Sequence, residues 1–329
     1  MTPGPRRRTV LLASLGALAL PSLAACGVTR GDDAGSTRLR MMIPNSPGGG
    51  YDLTGRRAVG VMEDTEITKR FEVFNVIGAG GTVAMARLAN ERGNEDLMMS
   101  MGLGVVGATL TNRSQARVSG MTPLARLVQE SEGVIVPADS PHKTIDDLVA
   151  AWKKDPKAVS IGGGSSPGGP DHLFPMEFAK AVGIDPREVN YVTYDGGGDL
   201  LPALLGSKIK AGMSGLGEYA EQIKKGQVKV LAVSGEKRMS GIDAPTLKES
   251  DIDLTFINWR GILAPPEISA ERRDQLIDLL QQMHDTPEWR DVLTKNNWDD
   301  AWMTGDEFGD FLASQDKRVE TTLKELGLL

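Results

Sequence analysis

One cysteine, Cys26, among 329 residues leaves no partner for a disulfide, so the fold must be held by its core. Histidine is nearly as scarce. His142, His172 and His284 stand far apart, and with a single cysteine they offer no metal-ligand spacing, so neither a metal nor a cofactor is expected. Positive charge is in deficit, with 37 Lys and Arg against 44 Asp and Glu. Three of those basic residues fall in the first 25 positions and none of the acidic ones do, so residues 26–329 carry 34 against 44, a net −10. Such a chain lacks the basic field that holds nucleic acid. If its ligand is an anion, local groups must hold it. After the N-terminal segment, no stretch has the length and purity of a transmembrane span.

That segment has the layout of an export signal. Arg6, Arg7 and Arg8 precede an apolar run from Val10 to Leu20, and small residues lead to Leu23-Ala24-Ala25-Cys26. Residues 1–25 are expected to be a lipoprotein signal peptide, with Cys26 acylated as the first residue after cleavage. The alternative is an ordinary signal followed by a free thiol. The arginine triplet leaves open whether the Sec or the Tat route is used. Residues 26–37, rich in Gly, Asp, Ser and Thr, read as a flexible tether. The chain is therefore expected outside the cytoplasmic membrane, attached to its outer face through the lipid alone.

Short apolar runs alternate with helical patterns along the rest. Leu39–Ile43, Phe71–Val76, Leu97–Ser100, Leu124–Val128, Val134–Val136, Val159–Ile161, Val189–Val192, Ala211–Ser214 and Val228–Ser234 read as buried strands. Thr144-Ile145-Asp146-Asp147 opens a helix with Thr144 as N-cap and acids in its first turn. Ala270–His284 places Leu276, Ile277, Leu279, Leu280 and Met283 on one stripe. Strand-helix alternation implies an α/β fold with largely parallel sheets. The alternation ends near Asn258–Ile262, and the charged remainder reads as helical. It is expected to return to the first lobe, giving 38–128 plus 256–329 as lobe I and 129–255 as lobe II. No internal repeat stands out.

Four glycine clusters sit at strand-to-helix junctions: Pro44–Asp52, Asn75–Thr82, Gly162–His172 and Tyr194–Gly198. Glycine lets main-chain N–H groups approach a ligand, and a helix N-terminus adds unpaired donors with partial positive charge. An acidic chain can hold a carboxylate this way. A single cluster of this kind is only a tight turn; four on one crevice would be a binding site.

Three enzyme motifs are present and each is incomplete. Gly102-Leu103-Gly104-Val105-Val106-Gly107 matches the dinucleotide fingerprint, but Thr111–Arg117 lacks the apolar stripe of a packing helix. Gly164-Ser165-Ser166-Pro167-Gly168 matches a nucleophile elbow, yet Pro167 has no N–H for an oxyanion hole. Ser234-Gly235-Glu236-Lys237 lacks the companion triplets of penicillin-binding enzymes. The chain is not expected to be an enzyme.

The order and spacing of these motifs resemble the Bug-type substrate-binding receptors of bacterial tripartite tricarboxylate transporters. The resemblance rests on Pro47-Gly48-Gly49 with Asp52 and Arg56, and on Asn75 with Gly78–Gly81. It continues through Gly164–Ser166 with His172-Leu173, Tyr194–Gly197, Leu204-Leu205-Gly206 and Trp259–Pro265. It runs from about Leu39 to Leu329. Tyr51 departs from the usual Ser or Thr, and Ala211–Ser214 lacks an Asp common in the family, so the usual ligand need not carry over. The resemblance implies a two-lobed, type II periplasmic-binding-protein-like architecture with a ligand cleft between the lobes. It also implies a small organic acid as ligand, membrane permease subunits as partners, and a monomer. The expected ligand-binding residues are Pro47, Gly48, Gly49, Gly50, Tyr51, Asp52, Gly78, Ala79, Gly80, Ser100, Gly164, Ser165, Ser166, His172, Tyr194 and Gly196. Asp52 could equally be a helix cap and His172 a locally bonded first-turn residue. A sensor subunit that presents ligand to a signalling kinase would share this pocket; an extracytoplasmic hydrolase is the remaining rival.

Overall fold

The computed structural model describes residues 38–194 and 196–329. The expected signal, the tether, Cys26 and Asp195 lie outside the described residues.

The chain runs β1 (Arg40–Ile43), α1 (Gly50–Asp64), β2 (Glu72–Asn75), α2 (Thr82–Asn90), β3 (Leu97–Gly102), α3 (Leu103–Thr111) and β4 (Thr122–Pro137). There follow α4 (Ile145–Lys154), β5 (Ser160–Gly163), α5 (Pro170–Ala181), β6 (Asn190–Thr193), α6 (Gly197–Leu205), β7 (Ala211–Gly215), α7 (Ala220–Lys224) and β8 (Val228–Val233). The last elements are β9 (Ile257–Ala264), α8 (Ala270–His284), α9 (Pro287–Asn296), β10 (Asp299–Thr304) and α10 (Gly305–Glu325). The sheet order is β2-β1-β3-β9-β4-β7-β5-β6, with β8 and β10 also paired to β4.

The fold is α/β, as expected, but its sheet is not largely parallel. Parallel pairs occupy the two ends, β2-β1-β3 and β7-β5-β6, while every pair made by β4 or β9 is antiparallel. Two strands were missed where the sequence reads as helical: β9 and β10. The expected pair Leu124–Val128 and Val134–Val136 is one strand of 16 residues. Its polar middle, Gln129-Glu130-Ser131-Glu132, breaks the apolar pattern yet stays extended. The first part of β4 pairs with β9, and its last residues, from Glu132 on, pair with β7 and β8. β4 is thus the strand shared by both sets.

Local signals formed their elements as read. Thr144 Oγ1 accepts the Asp147 N–H at 3.2 Å, and the Asp147 carboxylate accepts the Thr144 N–H at 3.0 Å, a reciprocal cap for α4. On α8, Leu276, Leu280 and Met283 are fully buried, against α1 residues Ala58 and Met62 and the strand residues Met41 and Ile262. The core on the other face runs from Met42 and Met99 through Phe174 and Phe178 to Phe308 and Leu323 of α10. Each such side chain contributes about 1.5–3 kcal/mol on burial. No described helix is long and apolar enough to cross a membrane.

Candidate functional site

The strand-helix junctions after β1 and β5 fold into the same turn. Ser46-Pro47-Gly48-Gly49 closes through Gly49 N–H to Ser46 O at 3.3 Å, and Ser166-Pro167-Gly168-Gly169 through Gly169 N–H to Ser166 O at 2.8 Å. Proline second and glycine third is the type II arrangement, and Gly48 and Gly168 have φ of +88° and +90°, where a side chain is strained. Three residues past each second glycine stands an acceptor that takes up the third residue's N–H. Asp52 Oδ2 accepts from Gly48 at 2.9 Å, and His172 Nδ1 accepts from Gly168 at 3.3 Å. The two segments therefore form a short repeat that the differing residues Asp52 and His172 conceal in the sequence.

Asp52 also accepts from Arg56 Nε at 2.8 Å and from Asn75 Nδ2 at 2.9 Å. Burial pushes its carboxyl up, but these donors outweigh burial and hold it below the ordinary range. Asn75 in turn donates to Asn45 O at 2.8 Å, tying the end of β2 to the first turn. In the second turn, Asp171 accepts from Gly164 N–H and from Ser165 Oγ, both at 2.9 Å. Tyr191 donates its hydroxyl to Ser165 O at 2.9 Å. At the fourth cluster, Gly196 N–H donates to Gly164 O at 3.1 Å and Gly197 N–H to Glu218 Oε2 at 2.8 Å.

All four clusters line one crevice of about 710 Å3. Of the expected residues, Pro47, Gly48, Gly49, Gly50 and Tyr51 line it from the first cluster, and Gly78, Ala79 and Gly80 from the second. Gly164, Ser165 and Ser166 line it from the third and Gly196 from the fourth. Asp52, Ser100, His172 and Tyr194 stand behind this surface. Ser100 is fully buried and donates to Tyr51 O at 3.0 Å. His172 packs edge-on against Tyr191, and burial pushes its imidazole down to about 4. Tyr194 packs on the cluster that includes Leu200 and Leu204.

The sequence reading missed the charged walls. Glu130 from β4, Asp171 from α5, Glu218 after β7, and Asn258 and Arg260 from β9 all face the crevice. Arg260 donates to Glu130 Oε1, each side chain being 9% exposed, and Asn258 Nδ2 donates to the same oxygen at 3.3 Å. Burial raises Asp171 and Glu218 above the ordinary carboxylate range, and it raises Tyr51 to about 12. The pattern of polar residues in the middle of β4 was the available signal. A cation is present after all, so amides are not the crevice's only positive groups.

The apparent dinucleotide fingerprint has a packing explanation. A Cβ on Gly102 would strike the Trp259 carbonyl, one on Gly104 the Tyr51 hydroxyl, and one on Gly107 the Gly168 carbonyl oxygen. Gly107 lets α3 lie directly on the second turn, while Gly102 and Gly104 make room for β9 and for the Tyr51 ring. The elbow-like Ser166 occupies the first position of that turn, and His172 is committed to Gly168 rather than to a serine. Among the described residues no group of His, Cys, Asp and Glu could hold a metal ion.

A 26% identical relative from Cupriavidus necator, described as a UPF0065 protein in the gbd 5′ region, aligns over 96% of this chain and 94% of its own length. Among solved structures, a TctC solute-binding protein from Polaromonas superposes with a TM-score of 0.72 at 24% identity, covering 88% of this chain and 98% of its own. Malate-bound MatC from Rhodopseudomonas palustris gives 0.72 at 19% identity, with 87% and 98% covered. These structures show a shared periplasmic-binding-protein fold. The family model for the tripartite tricarboxylate transporter family receptor matches residues 64–328, so the chain belongs to that family of solute-binding receptors, which are not enzymes.

Proposed function

We propose that the protein captures a small carboxylate in this crevice and delivers it to membrane permease subunits. The observation that carries this reading is the convergence of four glycine-rich junctions, two of them the same turn, on one crevice. The amides that serve are fewer than their glycines. Gly48, Gly49, Gly164 and Gly168 spend their N–H groups inside the turns, and Gly197 donates its own to Glu218. The amides of Gly50 and Tyr51 at the start of α1, of Ala79 and Gly80, and of Ser165 and Ser166 donate to no described residue. These six are the proposed carboxylate donors, and Arg260 lies against Gly50 to add its charge. Each charge-assisted hydrogen bond contributes about 1.5–3 kcal/mol. Asp52 and His172 serve by shaping the turns.

The two ends of the sheet, joined through β4 and β9, are read as lobes 38–128 plus 256–329 and 129–255 that close over the ligand. Malate in MatC supports a small hydroxy or dicarboxylic acid as the first class to test. In a thermal-shift screen of organic acids, a ligand at 100 times its Kd stabilises the fold by about 2.7 kcal/mol. A library of mono-, di- and tricarboxylates and amino acids that gives no shift at all defeats the reading. Anchoring through Cys26 is tested by metabolic labelling with palmitate; Cys26→Ser is expected to lose the label, and a labelled variant overturns it.

A further inference from the structure

A second cavity, of about 620 Å3, opens between α5 and α10 and shares no lining residue with the crevice. Its volume falls within the range of about 300–1,000 Å3 usual for small-molecule sites. α5 touches both places. Pro170 and Asp171 at its start line the crevice, and Met176, Glu177, Lys180 and Ala181 from its second half line the cavity. Met176, Pro186, Leu254 and Leu326 give the cavity apolar walls, which suit a hydrocarbon chain.

Its charged groups are unevenly matched. Three cations, Lys180, Lys317 and Arg318, stand with two acids, Glu177 and Glu325. Lys180 donates to both carboxylate oxygens of Glu325, at 2.8 and 2.7 Å, linking α5 to α10. Arg318 has no such bond. Its Nη1 lies 3.6 Å from Glu177, too far for a hydrogen bond, and its Nε is buried with no acceptor among the described residues. Burial, the largest influence on Glu177, raises that carboxyl above its ordinary range, so it is a poor counter-charge. Phe256 covers one face of the guanidinium, whose carbon is 5.5 Å from the ring centre, and this leaves the edge for an acceptor. Lys317 is exposed and pairs with no described acid. The hydroxyls of Ser314, Thr321 and Thr322 are spent on the carbonyls of Phe311, Lys317 and Arg318 within α10. The donors open to a ligand are therefore cationic. A buried guanidinium N–H without an acceptor is costly, and an anion satisfies it.

We propose that this cavity is a second ligand site, separate from the crevice, which takes a free amphipathic monocarboxylate. The chain lies along Met176, Leu254 and Leu326, and the carboxylate meets Arg318 and Lys317. The site goes beyond the receptor reading of the crevice and does not depend on it.

Calorimetric titration of the protein with octanoate, and with 1-octanol as the uncharged chain of the same length, tests this. Octanoate is expected to bind once per chain and at least tenfold more tightly than octanol. Arg318→Met keeps an apolar stem and removes the charge. It is expected to weaken octanoate at least tenfold and to leave octanol unchanged. Ala181→Trp builds bulk from an exposed position into the cavity and is expected to exclude both, so the test survives if Arg318→Met fails to fold. Near-UV circular dichroism identifies the variants whose packing is that of the wild type. Octanoate that binds such variants as it binds the wild type sits elsewhere, in the crevice or on the surface, and overturns the site. Octanol that binds as tightly as octanoate, or octanoate that does not bind at millimolar concentration, overturns it as well.

Discussion

At pH 7 the Nδ1 atom of His172 carries no proton, because it accepts the Gly168 N–H. Burial holds the ring neutral down to about 4, against an ordinary value of 6.5. The unfolded chain therefore takes up a proton that the folded chain refuses, and between pH 6.5 and 4 acid favours unfolding. The difference is worth about 3 kcal/mol once pH falls below 4. His172→Asn retains an acceptor close to Nδ1 and, in the equivalent turn, Asp52 already fills this role. The stability difference between variant and wild type, from urea melts, should shift in favour of the variant as pH falls through that window. Comparing the two proteins at each pH is essential, because the raised carboxyls Glu132, Asp171 and Glu218 act with the opposite sign. They favour the folded state below the ordinary carboxylate range and lose that contribution as pH rises. A pH-independent difference would show that His172 is not the group responsible. Glycine substitutions divide in the same concrete way. Gly107→Ala places a methyl on the Gly168 carbonyl oxygen, which is backbone and cannot step aside, so a loss of about 1–3 kcal/mol and weakened ligand binding are expected. Gly198→Ala meets open space inside α6 and should be neutral or stabilising by up to about 1 kcal/mol. Thermal melts of the two variants that came out alike would contradict the packing of α3 on the turn.

At the scale of elements, what could be read depended on whether a segment's residues serve the fold or the crevice. The cap at Thr144 and the stripe of α8 were legible because their side chains answer only to local geometry. Removing that cap in Thr144→Ala should cost about 1 kcal/mol, as chemical denaturation would show, and leave ligand affinity untouched. A change in affinity would mean that α4 is coupled to the crevice. The strands β4, β9 and β10 were split or missed. Glu130 of β4 and Asn258 and Arg260 of β9 stand at the crevice wall, and polar residues inside a strand look like a loop in the sequence. The repeated turn was hidden for a related reason. Its two acceptors differ chemically, carboxylate in one and imidazole in the other, so only their bonding partners reveal the equivalence. The glycine clusters line the crevice together, but Gly48 and Gly168 fix the turn rather than offer a free N–H.

For the whole molecule, charge decides how a ligand arrives, which is separate from how it is held. Residues 26–329 carry a net −10, and the crevice itself holds three acidic side chains against Arg260. An anionic ligand must approach against that field. Salt shortens its reach from about 30 Å at 0.01 M to about 8 Å at 0.15 M. The association rate of succinate should therefore rise as salt is added, the reverse of a receptor whose lysines and arginines steer its ligand. Stopped-flow tryptophan fluorescence is a suitable readout, since the Trp298 ring lies 5.7 Å from the Arg260 guanidinium at the crevice wall. A zwitterion such as aspartate, with one negative charge fewer than succinate, should show a weaker salt response. Rates that fall with salt for both ligands would mean that Arg260 and the exposed amides dominate the approach. The global charge would then have no part in selection.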